Sequence, residues 1–204
     1  MSGYAQALID DYGPTLDPEA NSRLARIQRA SHRLDLLIRD VLAYSTVSKS
    51  HLELVPVPLE NLVADVIEQH PEFADNRAQI HIAGPLLAVL GHEACLAQTF
   101  SNLISNGLKF VSPGQKPSIQ ISSETVGDWV RIYIKDQGIG IGPEHHDRIF
   151  QIFGRVYSDK AFEGTGIGLA IVKKAVSRMG GEVGFNSESG HGTEFWISLK
   201  KALT

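Results

Sequence analysis

The first fifty residues carry a helical pattern of apolar positions. Apolar side chains recur every three or four residues in two segments separated by Gly13-Pro14, and Asp17-Pro18 is a typical start for the second. The pattern predicts a helical hairpin with a short first arm and a long second arm. About three turns cannot cover the longer arm, so we expect that the chain begins inside an element or that another chain supplies the missing cover. The apolar positions are Ala5, Leu8, Ile9, Tyr12, Leu24, Ile27, Leu34, Ile38 and Val41.

From residue 51 onward, short alternating segments are mixed with helical ones. Alternation predicts a hairpin of strands at 118–124 and 129–136, and two further strands at 182–186 and 193–199. Helices are predicted at about 59–67, 92–110 and 166–179, and short extended segments at 51–57, 79–82 and 88–90. Helices interleaved with hairpin-linked strands favour an α+β fold, a two-layer α/β sandwich, over a doubly wound parallel sheet. The predicted domains are 1–50 and 51–204.

Composition excludes several classes of protein. With 204 residues, 43% of them hydrophobic and 21% charged, the chain is able to bury a core. The net charge of −4 provides no positive field for nucleic acid, and no apolar run approaches the roughly 18 residues of a membrane span. The single cysteine, Cys95, is expected in the core and favours a cytoplasmic location. We therefore expect no nucleic-acid partner and no membrane contact by this chain.

A polar stripe lies on the helix predicted at 92–110. Asn102, Asn106 and Lys109 are separated by four and three residues and so share one helix face. Amide oxygens suit Mg²⁺, which is usually shared with substrate phosphates, and a lysine adds positive charge for those phosphates. A solvated helix face is the alternative interpretation of these three residues alone.

The segment Asp136-Gln137-Gly138-Ile139-Gly140 follows an alternating strand. An aspartate there is able to accept a hydrogen bond from the exocyclic amine of adenine, whereas guanine presents an acceptor at that position. Gly138 and Gly140 leave room for a planar ring to approach the backbone. For this pentapeptide alone, an ordinary Asp-Gly turn is an equal alternative.

Two further glycine-rich segments complete the pattern. The segment from Gly164 to Leu169 opens a helix, where free backbone amides and the helix dipole form an anion site, with phosphate as the expected anion. Its spacing matches neither the dinucleotide-binding nor the Walker-type motif. Gly190 to Thr193 opens the last predicted strand.

In this order, the motifs resemble those of the sensor histidine kinases. NLISNGLKF (102–110) resembles their N box, DQGIG (136–140) their first glycine box, RIFQIFGRV (148–156) their F box, and GTGIGLAIVKK (164–174) and GHGTEF (190–195) their later glycine boxes. The match covers about residues 57–200, and the segment at 153–174 is similar to phytochrome-like and hybrid kinases. The resemblance implies the ATP-binding sandwich shared with gyrase, heat-shock 90 chaperones and mismatch-repair ATPases.

The resemblance also implies a site for ATP and Mg²⁺. Asn106 would bind the metal and Asp136 the adenine amine. Residues 151–163 would form a mobile lid in which Arg155, and more weakly Lys160, contacts phosphate. The implied binding residues are Asn102, Asn106, Lys109, Asp136, Gly138, Gly140, Phe150, Phe153, Arg155, Gly164, Thr165, Gly166, Ile167, Gly168, Leu169 and Thr193.

Residues 18–47 resemble the second helix of the family's dimerisation and phosphotransfer hairpin, and residues 2–12 the end of the first. The family's phosphoacceptor histidine, followed by an acidic residue, has no counterpart here. His32, His92, His145 and His146 are better interpreted as surface or structural residues. The implied function is a protein-histidine kinase that transfers the γ-phosphate of ATP to a histidine upstream of this chain, for a response-regulator aspartate. A homodimer through the hairpin is implied, and autophosphorylation of this chain is not expected.

Three alternatives remain open. A hydrolytic ATPase of this fold needs a carboxylate four residues before the metal-binding asparagine, and an amide, Asn102, stands there. An anti-sigma serine kinase shares the fold but would not bring the hairpin. A nucleotide-binding docking module that transfers no phosphate is compatible with all of the motifs.

Overall fold

The computed structural model describes residues 2–49, 52–70, 73, 79–156, 162 and 164–202. A helical hairpin comes first and consists of α1 (Ser2–Tyr12) and α2 (Pro18–Lys49). The carboxylate of Asp17 accepts a hydrogen bond from the backbone N–H of Ala20 at 2.8 Å, so α2 starts at the predicted cap. In the part of the chain that the structure describes, no helix is long and apolar enough to cross a membrane.

The rest of the described chain forms two sheets and three longer helices. The strands are β1 (Val55–Val57), β2 (Gln79–Ala83), β3 (Val89–Gly91), β4 (Ser118–Val126), β5 (Trp129–Asp136), β6 (Glu182–Ser187) and β7 (Thr193–Lys200). The helices are α3 (Leu59–Glu68), α4 (Glu93–Lys109) and α5 (Gly168–Arg178), and a short 3₁₀ helix covers Pro143–His145. Strands β1 and β3 form a two-stranded sheet, and the five-stranded sheet has the order β2-β4-β5-β7-β6.

Strand β5 is the centre of the larger sheet. It pairs antiparallel with β4 through the predicted hairpin and antiparallel with β7 on its other side, while β2 pairs parallel with β4. Its alternate residues Val130, Ile132 and Ile134 are at most 1% exposed, since they face the helices. Helices α4 and α5 pack on the sheet and on each other. The predicted two-layer α/β sandwich is confirmed.

The core between the layers is apolar and contains the only cysteine. Leu96, Phe100 and Leu103 on α4 and Ile171 on α5 are fully buried or nearly so. Cys95 is buried with them, as predicted. Burial raises the pKa of the Cys95 thiol, and the positive charge of Arg178 offsets only part of that rise. The thiol therefore stays protonated near neutral pH and serves as a small core residue.

Helix α2 presents two different faces. Leu37 and Tyr44 pack against the core of the sandwich, and Val47 is buried beside α5, where its carbonyl accepts a hydrogen bond from Arg178 Nη1 at 2.5 Å. The predicted apolar seam faces away from these contacts, because Ile27, Leu34, Ile38 and Val41 are each 46–51% exposed. As expected from its short length, α1 does not cover these four side chains, and they stay exposed within the part of the chain that the structure describes. The division into domains 1–50 and 51–204 stays a prediction.

Replacing Phe100 with alanine should lower the free energy of unfolding by about 3 to 5 kcal/mol, because the ring is fully buried and leaves a cavity. The control is Val126→Ala on a side chain that is 43% exposed, and it should lower this energy by less than about 0.5 kcal/mol. Urea unfolding followed by tryptophan fluorescence measures both. Equal effects of the two substitutions would show that α4 is not the centre of the core.

Candidate functional site

A cavity of about 750 Å³ lies between α4, the loop after β5 and the start of α5. A concave site of this size suits a small-molecule ligand. Of the predicted binding residues, it is lined by Asn102, Asn106, Lys109, Asp136, Gly140, Arg155, Gly164, Thr165, Gly166, Gly168, Leu169 and Thr193. The predicted residues Gly138, Phe150, Phe153 and Ile167 lie outside its wall. Motifs that are far apart in the sequence therefore meet at one cavity.

Asp136, the last residue of β5, is only 8% exposed. Its Oδ1 accepts hydrogen bonds from the backbone N–H groups of Gly138 at 2.8 Å and Thr193 at 3.0 Å. No hydrogen bond from the described residues reaches Oδ2. The carboxylate is thus fixed by one oxygen, and the other is available to a donor in the cavity.

Burial raises the pKa of the Asp136 carboxyl above its ordinary value, because a charged group loses hydration in the protein interior. The two backbone N–H groups stabilise the ionised form and offset part of this rise. Among the described residues the carboxylate has two fixed donors and no cationic partner in contact, so it is well suited to accept a further neutral N–H donor.

The loop after Asp136 is held tightly by its neighbours. The N–H of Ile139 donates to the carbonyl of Phe110 at 2.9 Å. A Cβ on Gly138 would lie 2.2 Å from that carbonyl oxygen. Gly140 has φ +67, and its Cβ would lie 1.9 Å from the carbonyl oxygen of Glu188. Both positions therefore require glycine for backbone packing, which is a reason that sequence analysis did not give. Contact of these glycines with a bound ring stays a prediction.

The polar stripe of α4 faces the start of α5. Asn102 donates from Nδ2 to the carbonyl of Gln98 at 2.8 Å, and its Oδ1 would be 2.7 Å from a Cβ on Gly168. Lys109 Nζ would lie 2.6 Å from a Cβ on Gly164 and is 4.3 Å from the centre of the Phe110 ring. These side chains border the cavity rather than a solvated surface.

The start of α5 lies at the cavity wall, which includes Gly166, Gly168 and Leu169. Its N-cap residue, Ile167, makes no side-chain capping hydrogen bond, so the first-turn amides keep their capacity for an anion. Arg155 donates from Nη1 to the carbonyl of Gly164 at 2.5 Å and from Nη2 to that of Phe162 at 3.0 Å. Its guanidinium thus braces the loop before α5. Phosphate contact by Arg155 stays a prediction, and Lys160, with part of the predicted lid, lies outside the described residues.

The two F-box aromatics occupy different environments. The ring of Phe150 packs edge-on against Phe185, with centroids 6.0 Å apart, and Lys173 Nζ is 5.7 Å from its centroid. Phe153 is 62% exposed and has φ +63, a left-handed conformation that is strained for a residue with a side chain. Phe150 therefore anchors the segment, while Phe153 lies on the surface.

Several residues of the cavity wall were not predicted. Phe110 and Phe162 pair their rings at 5.0 Å, and Ser105, Ile141, Ile149 and Phe195 add further wall. A second group comes from the hairpin, where α2 contributes His32, Leu36 and Asp40. Their spacing of four residues places these three on one helix face, which is a signal in the sequence. No sequence pattern indicates that this helix face meets the loop at 164–167, which is called the glycine-rich loop below.

Comparison with known proteins identifies the family. Residues 91–203 match the family model of the histidine kinase-, DNA gyrase B-, and HSP90-like ATPases. The chain is 32% identical to the phytochrome-like protein Cph1 of Synechocystis over 98% of its own length and 26% of that protein. It is also 32% identical to the sensor-like histidine kinase SenX3 of Mycolicibacterium smegmatis, over 98% of its own length and 52% of that protein.

Solved structures agree with this assignment. Full-length ShkA, determined in complex with AMPPNP, superposes with a TM-score of 0.71 at 31% identity, over 99% of this chain and 42% of that one. The catalytic domain of the histidine kinase ThkA shows the same fold with a TM-score of 0.60 at 22% identity, over 74% of this chain and 97% of that one. The chain belongs to the family of histidine kinase-, DNA gyrase B- and HSP90-like ATPases, and its relatives include sensor histidine kinases. It spans about a quarter of the length of the phytochrome relatives that it matches.

The raised pKa of Asp136 predicts an unusual dependence of stability on pH. The folded state disfavours the ionised carboxyl, so the contribution of Asp136 to stability is largest below its ordinary pKa of 3.8 and falls as pH rises through the raised value. The free energy of unfolding of the wild type, minus that of Asp136→Asn, should therefore fall between acidic and neutral pH.

Urea unfolding at a series of pH values measures this difference. The matched control is Asp128→Asn in the exposed turn between β4 and β5, which makes the same change in charge away from the cavity wall. A difference that instead rises with pH for Asp136→Asn would show that the two amides outweigh the loss of hydration.

Proposed function

We propose that the chain is the ATP-binding catalytic part of a two-component sensor histidine kinase. It transfers the γ-phosphate of ATP to a histidine upstream of this chain, from which the aspartate of a response-regulator receiver domain takes it. The observation that carries the proposal is a single cavity with a fixed carboxylate, Asp136, on one part of its wall and an amide-rich helix start with Lys109 on another. The kinase relatives and the AMPPNP complex of ShkA support it.

Adenine is the base that suits Asp136. An ionised Oδ2 accepts the N–H of the exocyclic amine, whereas the oxygen of guanine at the same position would oppose it. Because Oδ1 is held by two backbone amides, the carboxylate cannot turn away from an unsuitable base without breaking buried hydrogen bonds. Selection for adenine thus follows from the way the carboxylate is fixed.

The phosphates lie at the start of α5 in this proposal. The amides of its first turn and the ammonium of Lys109 supply positive charge there. The carboxamide of Asn106 faces the cavity and makes no hydrogen bond with the described residues, so its oxygen is suited to hold Mg²⁺ together with the phosphates. Bound there, Mg²⁺ would neutralise charge on the phosphates during transfer.

The presence of Asn102 favours transfer of the γ-phosphate to another side chain over hydrolysis of ATP by water. Its Nδ2 donates to the carbonyl of Gln98, and an amide does not accept a proton from water as a carboxylate does. The same argument disfavours a gyrase-like ATPase.

His32 lies on the cavity wall, but it is exposed on α2 and is followed by Arg33, so we place the acceptor histidine elsewhere.

The hairpin supplies the partner surfaces in this proposal. A homodimer would bury the exposed seam at Ile27, Leu34, Ile38 and Val41, since large apolar side chains in a continuous stripe favour a second helical hairpin as cover. A receiver domain is the second partner. A cytoplasmic location, where ATP is available, belongs to the same proposal.

Replacing Asp136 with asparagine tests the adenine site with little change in shape. The amide keeps an oxygen for the N–H groups of Gly138 and Thr193 but presents N–H to the base. Affinity for ATP should fall by about 10- to 100-fold, while affinity for GTP stays equal or rises. Calorimetric titration measures both, with Asp128→Asn as the control. Unchanged ATP affinity would show that adenine does not bind at Asp136.

Incubation with γ-labelled Mg-ATP tests the function itself, with bound nucleotide, labelled protein and released phosphate followed together. We expect bound ATP, little release and no label on the chain. Rapid release of phosphate would assign the protein to the hydrolytic ATPases, and acid-labile label on the chain would show that one of its own histidines is an acceptor. Absence of binding would overturn the proposal.

A further inference from the structure

Helix α2 forms one wall of the cavity and is tied to the glycine-rich loop by a hydrogen bond. The hydroxyl of Thr165 donates to Oδ2 of Asp40, and both residues line the cavity. Thr165 is only 9% exposed and stands three residues before the first residue of α5. The bond therefore places a carboxylate from the hairpin at the amide-rich end of the site.

The charge of Asp40 conflicts with the ligand proposed for that end. Lys109 and the first-turn amides of α5 attract an anionic group. In the described structure, the carboxylate of Asp40 on α2 lines this end of the cavity. A chain of phosphates carries several negative charges and would lie beside it. Like charges a few ångströms apart repel, and partial burial strengthens the repulsion.

We propose that the hydrogen bond between Asp40 and Thr165 is a latch that the phosphates of a bound nucleotide open. With the phosphate end empty, Asp40 holds α2 against the glycine-rich loop. A triphosphate repels the carboxylate, so binding breaks its hydrogen bond to Thr165 and loosens this part of α2. This inference rests on the proposed adenine-nucleotide site and adds a link between that site and the hairpin.

The remaining contacts of α2 define what moves. Val47, two turns after Asp40, is buried and bonded through its carbonyl to Arg178 of α5, outside the cavity. Tyr44 also packs on the core. Opening of the latch therefore removes the polar attachment of the segment around Asp40, while Leu37 keeps its apolar contact with the core and the end of α2 stays attached to α5. A nucleoside without phosphates has no charge to oppose Asp40 and leaves the latch closed.

The test compares ATP, ADP and adenosine in the presence of Mg²⁺ by calorimetry on the 204-residue chain. Asp40→Asn removes the charge but keeps an oxygen that accepts the Thr165 hydrogen bond. ATP should bind this variant about tenfold more tightly than the wild type, ADP less so, and adenosine equally. Asp35→Asn, at an exposed position on the same helix, makes the same change in net charge and should alter none of the three affinities.

Hydrogen exchange supplies the second readout. In the wild type, ATP but not adenosine should speed the exchange of backbone amides at 36–44, and Asp40→Asn should reduce this difference. If Asp40→Asn retains adenosine binding but binds ATP equally to the wild type or more weakly, the latch is overturned. Weaker ATP binding would indicate in addition that Asp40 helps to hold the metal-bound phosphates. Failure of the wild type to bind either adenosine or ATP overturns the nucleotide site itself.

Discussion

The structure depends on how Asp136 is held at the end of the central strand. One oxygen of its carboxylate joins the loop that follows β5 to the start of β7 through two backbone N–H groups. Glycine is required at position 192, because a Cβ there would lie 2.2 Å from the Asp136 carbonyl oxygen, and a Cβ on Gly107 would be a tight contact at 3.1 Å from the Asp136 Cβ. These glycines allow α4, β5 and β7 to pack closely around Asp136. The buried carboxylate with one committed and one available oxygen is the result.

The two ends of the cavity differ in how they are supported. The Asp136 end rests on the sheet, on fully buried residues such as Ile134, and on backbone hydrogen bonds. The other end consists of a loop braced by Arg155 and a helix start, and a side chain from the hairpin reaches it. A ligand that fills both ends therefore contacts a rigid part of the molecule and a part that is linked to α2. This division gives the hairpin a direct way to respond to the ligand.

Much of the fold followed from local patterns. Strict alternation identified β4 and β5 within two residues, and the three-and-four spacing with Asp17 as cap identified α2. The motifs also indicated most residues of the cavity wall. Glycines at a helix start and an acid after a strand each have an ordinary local explanation, but their occurrence together in one chain favours a shared ligand site. The short 3₁₀ helix at Pro143–His145 was not predicted, because three residues carry no periodicity. The structure places both predicted F-box aromatics outside the cavity wall, with Phe150 against β6 and Phe153 on the surface, and their contact with a ligand stays a prediction.

The sequence by itself determined the elements, their two-layer arrangement and the chemical character of the site, because periodicity, caps and glycine-rich turns act over a few residues. The tertiary structure decided which surfaces face each other. It turned Leu37 and Tyr44 toward the sandwich, left Ile38 and Val41 exposed, and brought Asp40 to Thr165 across 125 positions of the chain. An amphipathic pattern specifies that a helix has an apolar face, but the partner of each face depends on packing between segments that are distant in sequence.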